Sequence, residues 1–543
     1  MESKVTAVRL ARTLANEAER AMASIKTPGH PRPHYISHLL RDEEIWTIQA
    51  RYGALFTDSH RRRRDCCTDV RVGSYRYDQI EHGGLQYNSK EDESYSHIEL
   101  PFGDHSDGIR HGVWHLTEAR YREAVEALLR KKSHELTYLN SHRHLPSYEK
   151  RPATIDLAWS ELPEVDHEYW TRYVERVSRV PKSYLEIKNS HVEFHARNSL
   201  RIFTNSEGSR IIQCQAYWSL ECYLWLLSEK GDALQWTIHH YVSDPDELPD
   251  EKQFQKEIRK TIGVLKELSR APSLRSYAGP VLLEPIPAGL LIHEALGHRL
   301  EGNRLLSSGE GHTFRDAVGT QILPSFLSLR DDPSRERFEG RSLVGHYRYD
   351  DEGVESQDTE LVRAGILKGF LTSRIGIQRR HRSNGHGRSR FHELAVSRMG
   401  VTILEAKNGK SDSELKEALI AEIRRQNLPF GVRIISACGG ETTTESYDFQ
   451  ALLGEINLAA RIYPDGREEW IRGVDFVGTP LNAIRGIIAA GQRYQVDNSH
   501  CGAESGYLPV TTISPVLLVS HLELQSKSES PYTQYTYPMP WAK

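Results

Sequence analysis

The sequence predicts an α+β protein with an N-terminal mixed α/β domain, built of antiparallel sheet and helices, and a C-terminal β-rich, barrel-like domain that carries a metal-site helix. Three features predict this fold: an opening amphipathic helix, several strand-type segments separated by polar turns, and two further helical stripes. At 543 residues the chain is too long for one compact core. We predict domains at 1–275, with an internal split near 150–180, and at 276–525, followed by a polar tail at 526–543.

The N-terminal half alternates between helices and strands. A helix is predicted before the Pro- and Gly-rich segment 26–33, and two more helices follow from apolar stripes at 121–129 and 254–268. Strands are predicted at 35–40, 45–50, 54–57 and 66–72, and again between 184 and 242. The run Arg61-Arg62-Arg63-Arg64 is interpreted as a solvated loop tip, with an anion or peptide-carboxylate patch as the alternative.

The C-terminal half is mostly strands and turns. It contains an acidic turn at 349–353, a basic stretch at 379–390 that we interpret as a mobile loop, and one helix at 415–425. Further strands are predicted at 455–462, 470–477 and 510–524. The tail from Ser526 is rich in Pro and Tyr, and we expect it to be extended or disordered.

Composition and charge exclude several classes of protein. Seventy Lys and Arg against 74 Asp and Glu give a formal charge of −4, which argues against a general nucleic-acid binder. Six scattered cysteines are too few for a disulfide scaffold and fit a reducing cytosol. The N-terminus has no apolar core typical of a secretory signal, and no 18-residue apolar run occurs, so we expect a cytoplasmic protein without a membrane span.

A short segment after an apolar run carries the chemistry. His293, Glu294 and His298 offer two neutral nitrogen ligands and an adjacent carboxylate, as a hydrolytic zinc site requires. Residues five apart on a regular α-helix stand about 140° apart, so the two imidazoles could not share one ion. We therefore predict a distorted helix near Leu296-Gly297, where a glycine makes the distortion least costly.

A third ligand must come from elsewhere in the chain. Residues of a suitable type are Cys438, Cys501, His500, His521 and Glu301. A cysteine is a strong candidate because thiolate binds zinc tightly and is deprotonated by the ion. The sequence alone leaves this choice open.

The C-terminal half resembles the TldD/PmbA family of metallopeptidases, in particular its catalytic TldD-like branch. The resemblance rests on ordered blocks, which are His293-Glu294-Ala295-Leu296-Gly297-His298 with Leu300-Glu301-Gly302, Asp350-Asp351-Glu352-Gly353, residues 365–371, Gly439-Gly440-Glu441 leading to Asp448-Phe449, Gly473-Val474 with Val477-Gly478, and Cys501-Gly502. These blocks span roughly 280–525. The N-terminal half is similar more loosely, through Val70-Arg71-Val72-Gly73 and the helix with Trp114 and Tyr121.

The resemblance implies a ligand set and a base. His293, His298 and Cys501 would bind Zn²⁺, and Glu294 would be the general base. His500 departs from the family pattern, in which a small or hydroxyl residue is expected, so it is a competing ligand. Glu301, one turn after His298, is predicted to orient a ligand and not to be a fourth one. An Arg, Tyr or His of the 379–392 loop is the candidate for stabilising the oxyanion.

These expectations define a leading hypothesis and its alternatives. The leading one is a zinc-dependent peptidase acting on small or unfolded peptides, paired as a homodimer or as a heterodimer with a metal-less paralogue. One alternative is an amide-cleaving tailoring hydrolase on a modified peptide or natural product, and another is a non-catalytic subunit of such a heterodimer. A nucleophilic Cys501 with His500 as its base is disfavoured, because adjacent strand residues point to opposite faces.

Overall fold

The computed structural model describes residues 2–81, 97–103, 105–138, 142, 144–307, 309–390, 394–444, 451–527 and 531–542. The described helices are α1 Lys4–Ser24, α2 Ser106–His134, α3 His167–Val177, α4 Glu251–Arg270, α5 Pro285–Ile292, α6 Asp412–Arg425 and α7 Pro480–Arg485. The arrangement is α+β, as the sequence predicts.

The strands fall into two large sheets and two small ribbons. The first sheet contains β1 Pro33–Arg51, β2 Ala54–Ser74, β3 Tyr77–Asp78, β4 His97–Glu99, β5 Ile155–Asp156, β6 Ile187–Asn205, β7 Arg210–Leu227 and β8 Ala233–Val242. The second sheet contains β9 Ser276–Leu283, β10 Leu327–Asp331, β13 Thr359–Arg363, β14 Ile366–Leu367, β17 Val401–Ala406, β18 Gly431–Thr442, β19 Leu452–Ile462, β20 Glu468–Ile471, β21 Val474–Gly478, β22 Ile487–Ala503 and β23 Gly506–Ser526. The ribbons pair β11 Arg337–Phe338 with β12 Arg341–Ser342, and β15 Gly387–Arg388 with β16 Val396–Ser397.

Helices cover one face of the first sheet, and their ends follow from local sequence. The stripe of Phe254, Ile258, Ile262 and Leu265 on α4 is fully buried in the core that β6 and β7 share. Helix α4 begins with a capping box of Asp250 and Gln253, in which each side chain accepts a hydrogen bond from the other residue's backbone N–H. The predicted helix at 254–268 is therefore confirmed, and the stripe at 121–129 lies within α2.

The N-terminal strands are much longer than predicted. Instead of four short strands, β1 and β2 form one hairpin that turns at Tyr52-Gly53, where both residues have positive φ. The interpretation of Arg61–Arg64 as a solvated loop tip is wrong for most of the run, since it lies inside β2 and Arg64 is buried. The acidic run on β1 stands in register with it, Asp42 opposite Arg64 and Glu44 opposite Arg62, which is why charge is tolerated there.

The second sheet brings distant segments of the C-terminal half together. Strand β9 pairs with both β18 and β23. Following the hydrogen-bonded neighbours from β9 through β18, β19, β21 and β23 therefore leads back to β9. Helix α5 packs inside this arrangement, with Ala288, Leu291 and Ile292 buried in the largest apolar core. The barrel-like description of this half and the domain boundaries stay predictions.

Buried ion pairs join the two halves. Asp351 of the acidic turn accepts hydrogen bonds from Arg41 of β1, at 2.9 Å, and from Arg201 of β6. Arg374 is buried and donates to Glu207 and to the backbone oxygen of Glu149. The acidic turn thus connects the C-terminal half to the first sheet through the ion pairs of Asp351.

Two segments are more ordered in their packing than their composition indicates. The basic stretch at 379–390, interpreted as a mobile loop, buries His381, His386 and Arg388. In the tail, residues 531–542 lie against the N-terminal half, where the Tyr532 backbone N–H donates to the Gly231 oxygen at 2.8 Å, but most of their side chains are exposed. In the basic stretch, the buried polar side chains hydrogen-bond within the protein, so their burial does not require an apolar sequence.

Two further expectations concern membrane spans and disulfides. Among the described helices, none combines the length and apolar character needed to cross a bilayer. None of the six cysteines lies in a disulfide.

Candidate metal centre

A short apolar helix delivers the motif to the interior. Helix α5 begins with Pro285 at its first position, where a missing N–H costs nothing, and every residue but Ile286 and Leu290 is buried. Its C-terminal end continues directly into His293, so the two imidazoles are carried into the core of the second sheet. Both are buried, His293 with 8% and His298 with 6% of its surface exposed.

The helix is distorted where the sequence predicts it. Residues His293–Gly297 form a π-helical turn, in which the His298 N–H donates to the His293 oxygen, five residues back. A π turn adds one residue, so residues five apart stand on the same side, as residues four apart do in an α-helix. The two rings accordingly lie 5.0 Å apart, centroid to centroid. The prediction of a distortion is confirmed.

Gly297 has a packing role and not a conformational one. Its φ of −49° is ordinary for any residue. A Cβ atom at this position would lie 2.1 Å from the Met399 sulfur, so a side chain could not be accommodated without moving that buried methionine. Glycine therefore allows the distorted helix to pack closely on the segment between β16 and β17.

Cys501 joins the two histidines. The ligand atoms of His293, His298 and Cys501 all lie within 4.8 Å of one another, and Cys501 Sγ is 3.3 Å from His298 Nε2. Cys501 lies near the end of β22, opposite Leu508 of β23, and is 5% exposed. The hairpin β22–β23 thus brings a residue some 200 positions downstream against the π turn.

A network of buried charges surrounds this cluster. Glu301 Oε2 accepts from His298 Nδ1 at 3.1 Å and from Arg304 Nε at 2.9 Å. Arg398, 1% exposed, donates from Nη2 to the Cys501 sulfur at 3.2 Å and to the Cys501 backbone oxygen at 2.8 Å. Glu301 therefore orients His298 through the nitrogen that faces away from Cys501, and Arg398 compensates a thiolate.

The charge states follow from these contacts. Burial alone raises the pKa of Cys501, but His298, Arg398 and His293 outweigh it and hold that pKa well below its usual value. Burial lowers the pKa of His298, while Cys501 and Glu301 more than reverse this and raise it well above its usual value. Cys501 is thus poised as a thiolate, which is the form that binds metal.

Glu294 is buried beside the cluster, where its carboxylate interacts electrostatically with His293 and Arg299. Its side chain is 5% exposed, and its carboxylate makes no hydrogen bond within the described part of the chain. Only its backbone oxygen is used, accepting from Arg299 at 2.8 Å. Buried carboxylates are normally hydrogen-bonded. The stability of the fold therefore does not explain why a carboxylate without hydrogen bonds is buried at this position.

The other predicted ligands do not join the cluster. His500 faces the opposite side of β22, where its Nδ1 lies 3.3 Å from the Tyr217 hydroxyl and its ring stacks on Tyr507. Burial, reinforced by nearby arginines, lowers its pKa to about 3, which leaves a neutral imidazole. Cys438 and His521 are exposed and lie outside the cluster.

The basic loop provides no contact to the cluster in its described part. His381 bonds the Ser373 oxygen, His386 lies 3.1 Å from Asp331, and Arg388 donates to the oxygens of Met399 and Pro509. The positions 391–392, and the Asp448-Phe449 block, lie outside the described residues. Arg398 was not predicted from the sequence. The sequence offers only one sign of its role, a charged residue within the segment 396–401, which the structure buries.

The three ligand atoms fit a zinc ion. Nitrogen and sulfur ligands bind zinc at about 2.0–2.3 Å in a tetrahedron, which places ligand atoms roughly 3.3–3.8 Å apart. The distance of 3.3 Å from sulfur to His298 nitrogen matches this spacing, and the 4.8 Å limit needs only small side-chain rotations. Three protein ligands leave a fourth position, the arrangement of catalytic zinc sites.

Known proteins share both the sequence and the fold. Residues 276–526 match the PmbA/TldA metallopeptidase C-terminal domain. The chain is 26% identical over 271 residues to a metalloprotease from Archaeoglobus fulgidus and 25% identical over 247 residues to a zinc metalloprotease TldD homolog from Saccharolobus solfataricus. These alignments cover 50% and 45% of this chain, and 57% and 51% of the relatives.

A solved structure agrees over almost the whole chain. TldE from Thermococcus kodakarensis aligns with a TM-score of 0.58 at 13% identity, covering 95% of this chain and 100% of that one, which shows a shared fold. The matched C-terminal domain is the part that holds His293, His298 and Cys501. On these grounds the C-terminal half of the chain, residues 276–526, is a domain of the TldD/PmbA family.

Proposed function

We propose that this protein is a zinc-dependent metallopeptidase of the TldD-like branch that hydrolyses peptide bonds in small or unfolded peptides. The observation that carries the proposal is the convergence of His293, His298 and Cys501 beside the buried carboxylate of Glu294, which makes no hydrogen bond within the described residues. The names of the relatives, metalloprotease and zinc metalloprotease, support the same activity.

Each residue has a distinct task in this proposal. His293, His298 and Cys501 hold the ion, which when bound supplies a Lewis acid that polarises a peptide carbonyl and acidifies water. Glu294 accepts a proton from the attacking water and returns it to the leaving amine. Glu301 fixes the ring of His298, and Arg398 offsets the charge of the Cys501 thiolate.

The removal of the base tests the proposal. Glu294→Gln keeps the shape and removes proton acceptance, so kcat on an unstructured peptide should fall by roughly 10²–10⁴-fold while one zinc per chain is retained. Peptide cleavage by mass spectrometry and metal content by elemental analysis are the measurements. A zinc-loaded Glu294→Gln variant with wild-type kcat would contradict the role of Glu294.

The assembly and the substrate are also proposals. The fold shared with TldE favours pairing with a partner of the same fold, either a second copy or a metal-less paralogue. Native mass spectrometry distinguishes the two assemblies. An amide-cleaving tailoring hydrolase would use the same ion and base, so a profile of unmodified against modified peptides separates that alternative. A cytoplasmic location stays a prediction.

A further inference from the structure

Arg299 is a buried cation beside the proposed base. It lies in the short 3₁₀ turn that continues the π turn, and 6% of its surface is exposed. Its Nη1 donates to the Glu294 backbone oxygen at 2.8 Å and to the Thr442 hydroxyl at 2.9 Å, while Nη2 donates to the Thr443 backbone oxygen at 3.0 Å. The side chain therefore folds back over the π turn and connects it to the end of β18.

The hydrogen-bond partners of this guanidinium are neutral. Within the described residues Arg299 forms no ion pair, whereas the nearby Arg304 donates to three carboxylates, those of Glu301, Glu310 and Glu504. Burial, reinforced by Arg304, lowers the pKa of Arg299 to about 10. Burying a guanidinium costs desolvation free energy that an anion normally offsets. Hydrogen bonds to neutral oxygens need no charged donor, so the connection to β18 does not explain why a cation is buried here.

Glu294 supplies a negative charge close to Arg299. The carboxylates that act electrostatically on Arg299 are those of Glu294 and Glu310, and Glu310 is already bound to Arg304 at 2.9 Å. Because Nη1 is anchored on the backbone oxygen of Glu294, the guanidinium lies beside a carboxylate that makes no hydrogen bond in the described part of the chain. The two opposite charges therefore compensate each other without a hydrogen bond between them.

This arrangement suits a general base, which needs a charged carboxylate and a lone pair free to accept the proton. A hydrogen-bonded salt bridge stabilises the charge but occupies lone pairs, as at Glu301, whose Oε2 accepts from both His298 and Arg304. Arg299 is bound to the backbone oxygen of Glu294 instead. It can therefore stabilise the charge of that residue and leave both carboxylate oxygens free.

We propose that Arg299 is a positioning residue, whose buried charge holds the carboxylate of Glu294 beside the metal ligands while leaving its oxygens free to accept a proton. Without this charge, the carboxylate is free to turn toward another donor and lose its alignment with the attacking water. The role in proton transfer rests on the proposed function. The electrostatic pairing of Arg299 with Glu294 does not, because it concerns only the charges of the folded chain.

A double-mutant cycle of Arg299→Gln and Glu294→Gln measures the pairing without turnover. In the wild-type background, Arg299→Gln leaves the charge of Glu294 buried without compensation, so the melting temperature should fall. In the Glu294→Gln background no carboxylate is left behind, so most of that fall should disappear. Equal falls in both backgrounds would overturn the pairing. An Arg299→Gln variant that folds only together with Glu294→Gln supports it, and one that folds in neither background counts against it.

Peptide hydrolysis measures the consequence for the base. Arg299→Gln should lower kcat roughly tenfold to hundredfold while KM and zinc content stay close to wild type, because the base loses its alignment but the substrate and the ion are still bound. Arg299→Lys keeps the charge and should recover part of the loss. Elemental analysis and circular dichroism verify that each variant is loaded and folded.

Thr442→Val is the matched control for the hydrogen bonds. It removes one acceptor of the guanidinium and leaves the charge of Arg299 in place, so kcat should stay close to wild type. If Thr442→Val lowered kcat as much as Arg299→Gln, or if Arg299→Lys recovered none of the loss, the guanidinium would act by tying the π turn to β18. Either result would overturn the proposed role of its charge.

The failure of this proposal is distinguishable from the failure of the proposed function. If the wild-type protein cleaves no peptide but the melting temperatures are non-additive, the pairing of Arg299 with Glu294 stands and the peptidase activity falls. If peptides are cleaved and Arg299→Gln retains the wild-type kcat, the activity stands and the role of Arg299 falls.

Discussion

The protein contains two buried clusters of charge that differ in how completely they are paired. In the β1–β2 hairpin, Arg64 donates to Asp42, Glu2 and the backbone oxygens of Pro101 and Gly103, so its donors are used within the protein. At the π turn, by contrast, one ligand atom each of His293, His298 and Cys501 lies within 4.8 Å of the others, as around a shared metal ion.

The difference separates a structural charge cluster from a functional one. Burying a charge costs desolvation free energy in both clusters. In the hairpin, hydrogen bonds to opposite charges within the protein offset this cost. Around Cys501, the network of Arg398, Glu301 and Arg304 satisfies the outer side of the ligands and leaves the inner side available. A buried charged residue is therefore weak evidence for function unless its donors or acceptors remain unused.

The largest effect on stability is expected in the charge cluster of the β1–β2 hairpin. Arg64→Met would take from the buried Asp42 one of its two arginine partners, leaving Arg62, so the apparent free energy of unfolding should fall by about 2–3 kcal/mol in urea titrations. Arg61→Met, an exposed position on the same strand, should change it by less than about 0.5 kcal/mol. Adding Asp42→Leu to Arg64→Met should recover most of the loss, and a double variant as unstable as the single one would contradict this account.

The next largest effect is expected on zinc affinity, through the charged residues around His293, His298 and Cys501. Arg398→Met removes the donor to the Cys501 sulfur, so zinc affinity should fall roughly tenfold to hundredfold. Competition with a chromogenic chelator measures this affinity. Arg398→Lys should retain part of it because the charge remains, and unchanged affinity in the Met variant would show that the contact does not support the metal.

The smallest effect is a pH dependence of stability in the first sheet. Burial lowers the pKa of His38 to about 4, and its Nδ1 lies 2.9 Å from the Thr68 hydroxyl. The unfolded chain binds this proton from about pH 6.5 downward, whereas the folded chain resists protonation until about pH 4, so stability is lost as the pH falls through this window.

The corresponding measurement compares unfolding at two pH values. Between pH 7 and pH 5, His38 should account for about 1–2 kcal/mol of lost stability, which His38→Met should remove. His30→Met, at an exposed position, is the control for the effect of the substitution itself. An identical pH dependence in wild type and His38→Met would refute the assignment.

The contrast between the clusters also explains what the sequence could predict. The five-residue spacing of His293 and His298 predicted a distorted helix, because the period of an α-helix is fixed and the discrepancy is local. Helix α4 was predictable for the same reason, since its stripe and capping box lie within 20 residues. Local geometry is therefore well encoded.

Long-range pairing was not predictable by these means. The charged run at 61–64 was misinterpreted because its solvation depends on a strand register that pairs it with the acids of β1. Arg398 was missed because no motif links it to Cys501, which reaches it only through the β22–β23 hairpin. Cys501 itself was identified by family resemblance and not by spacing, because 200 residues separate it from the histidines.

X-ray absorption of the purified protein, combined with its metal content, tests the central claim most directly. We expect one zinc per chain with a single sulfur ligand at about 2.3 Å and nitrogen or oxygen ligands at about 2.0–2.2 Å. Cys501→Ser should lose the sulfur signal and most of the zinc while circular dichroism stays unchanged. A wild-type protein without stoichiometric zinc, or zinc whose sulfur signal persists in Cys501→Ser, would contradict it.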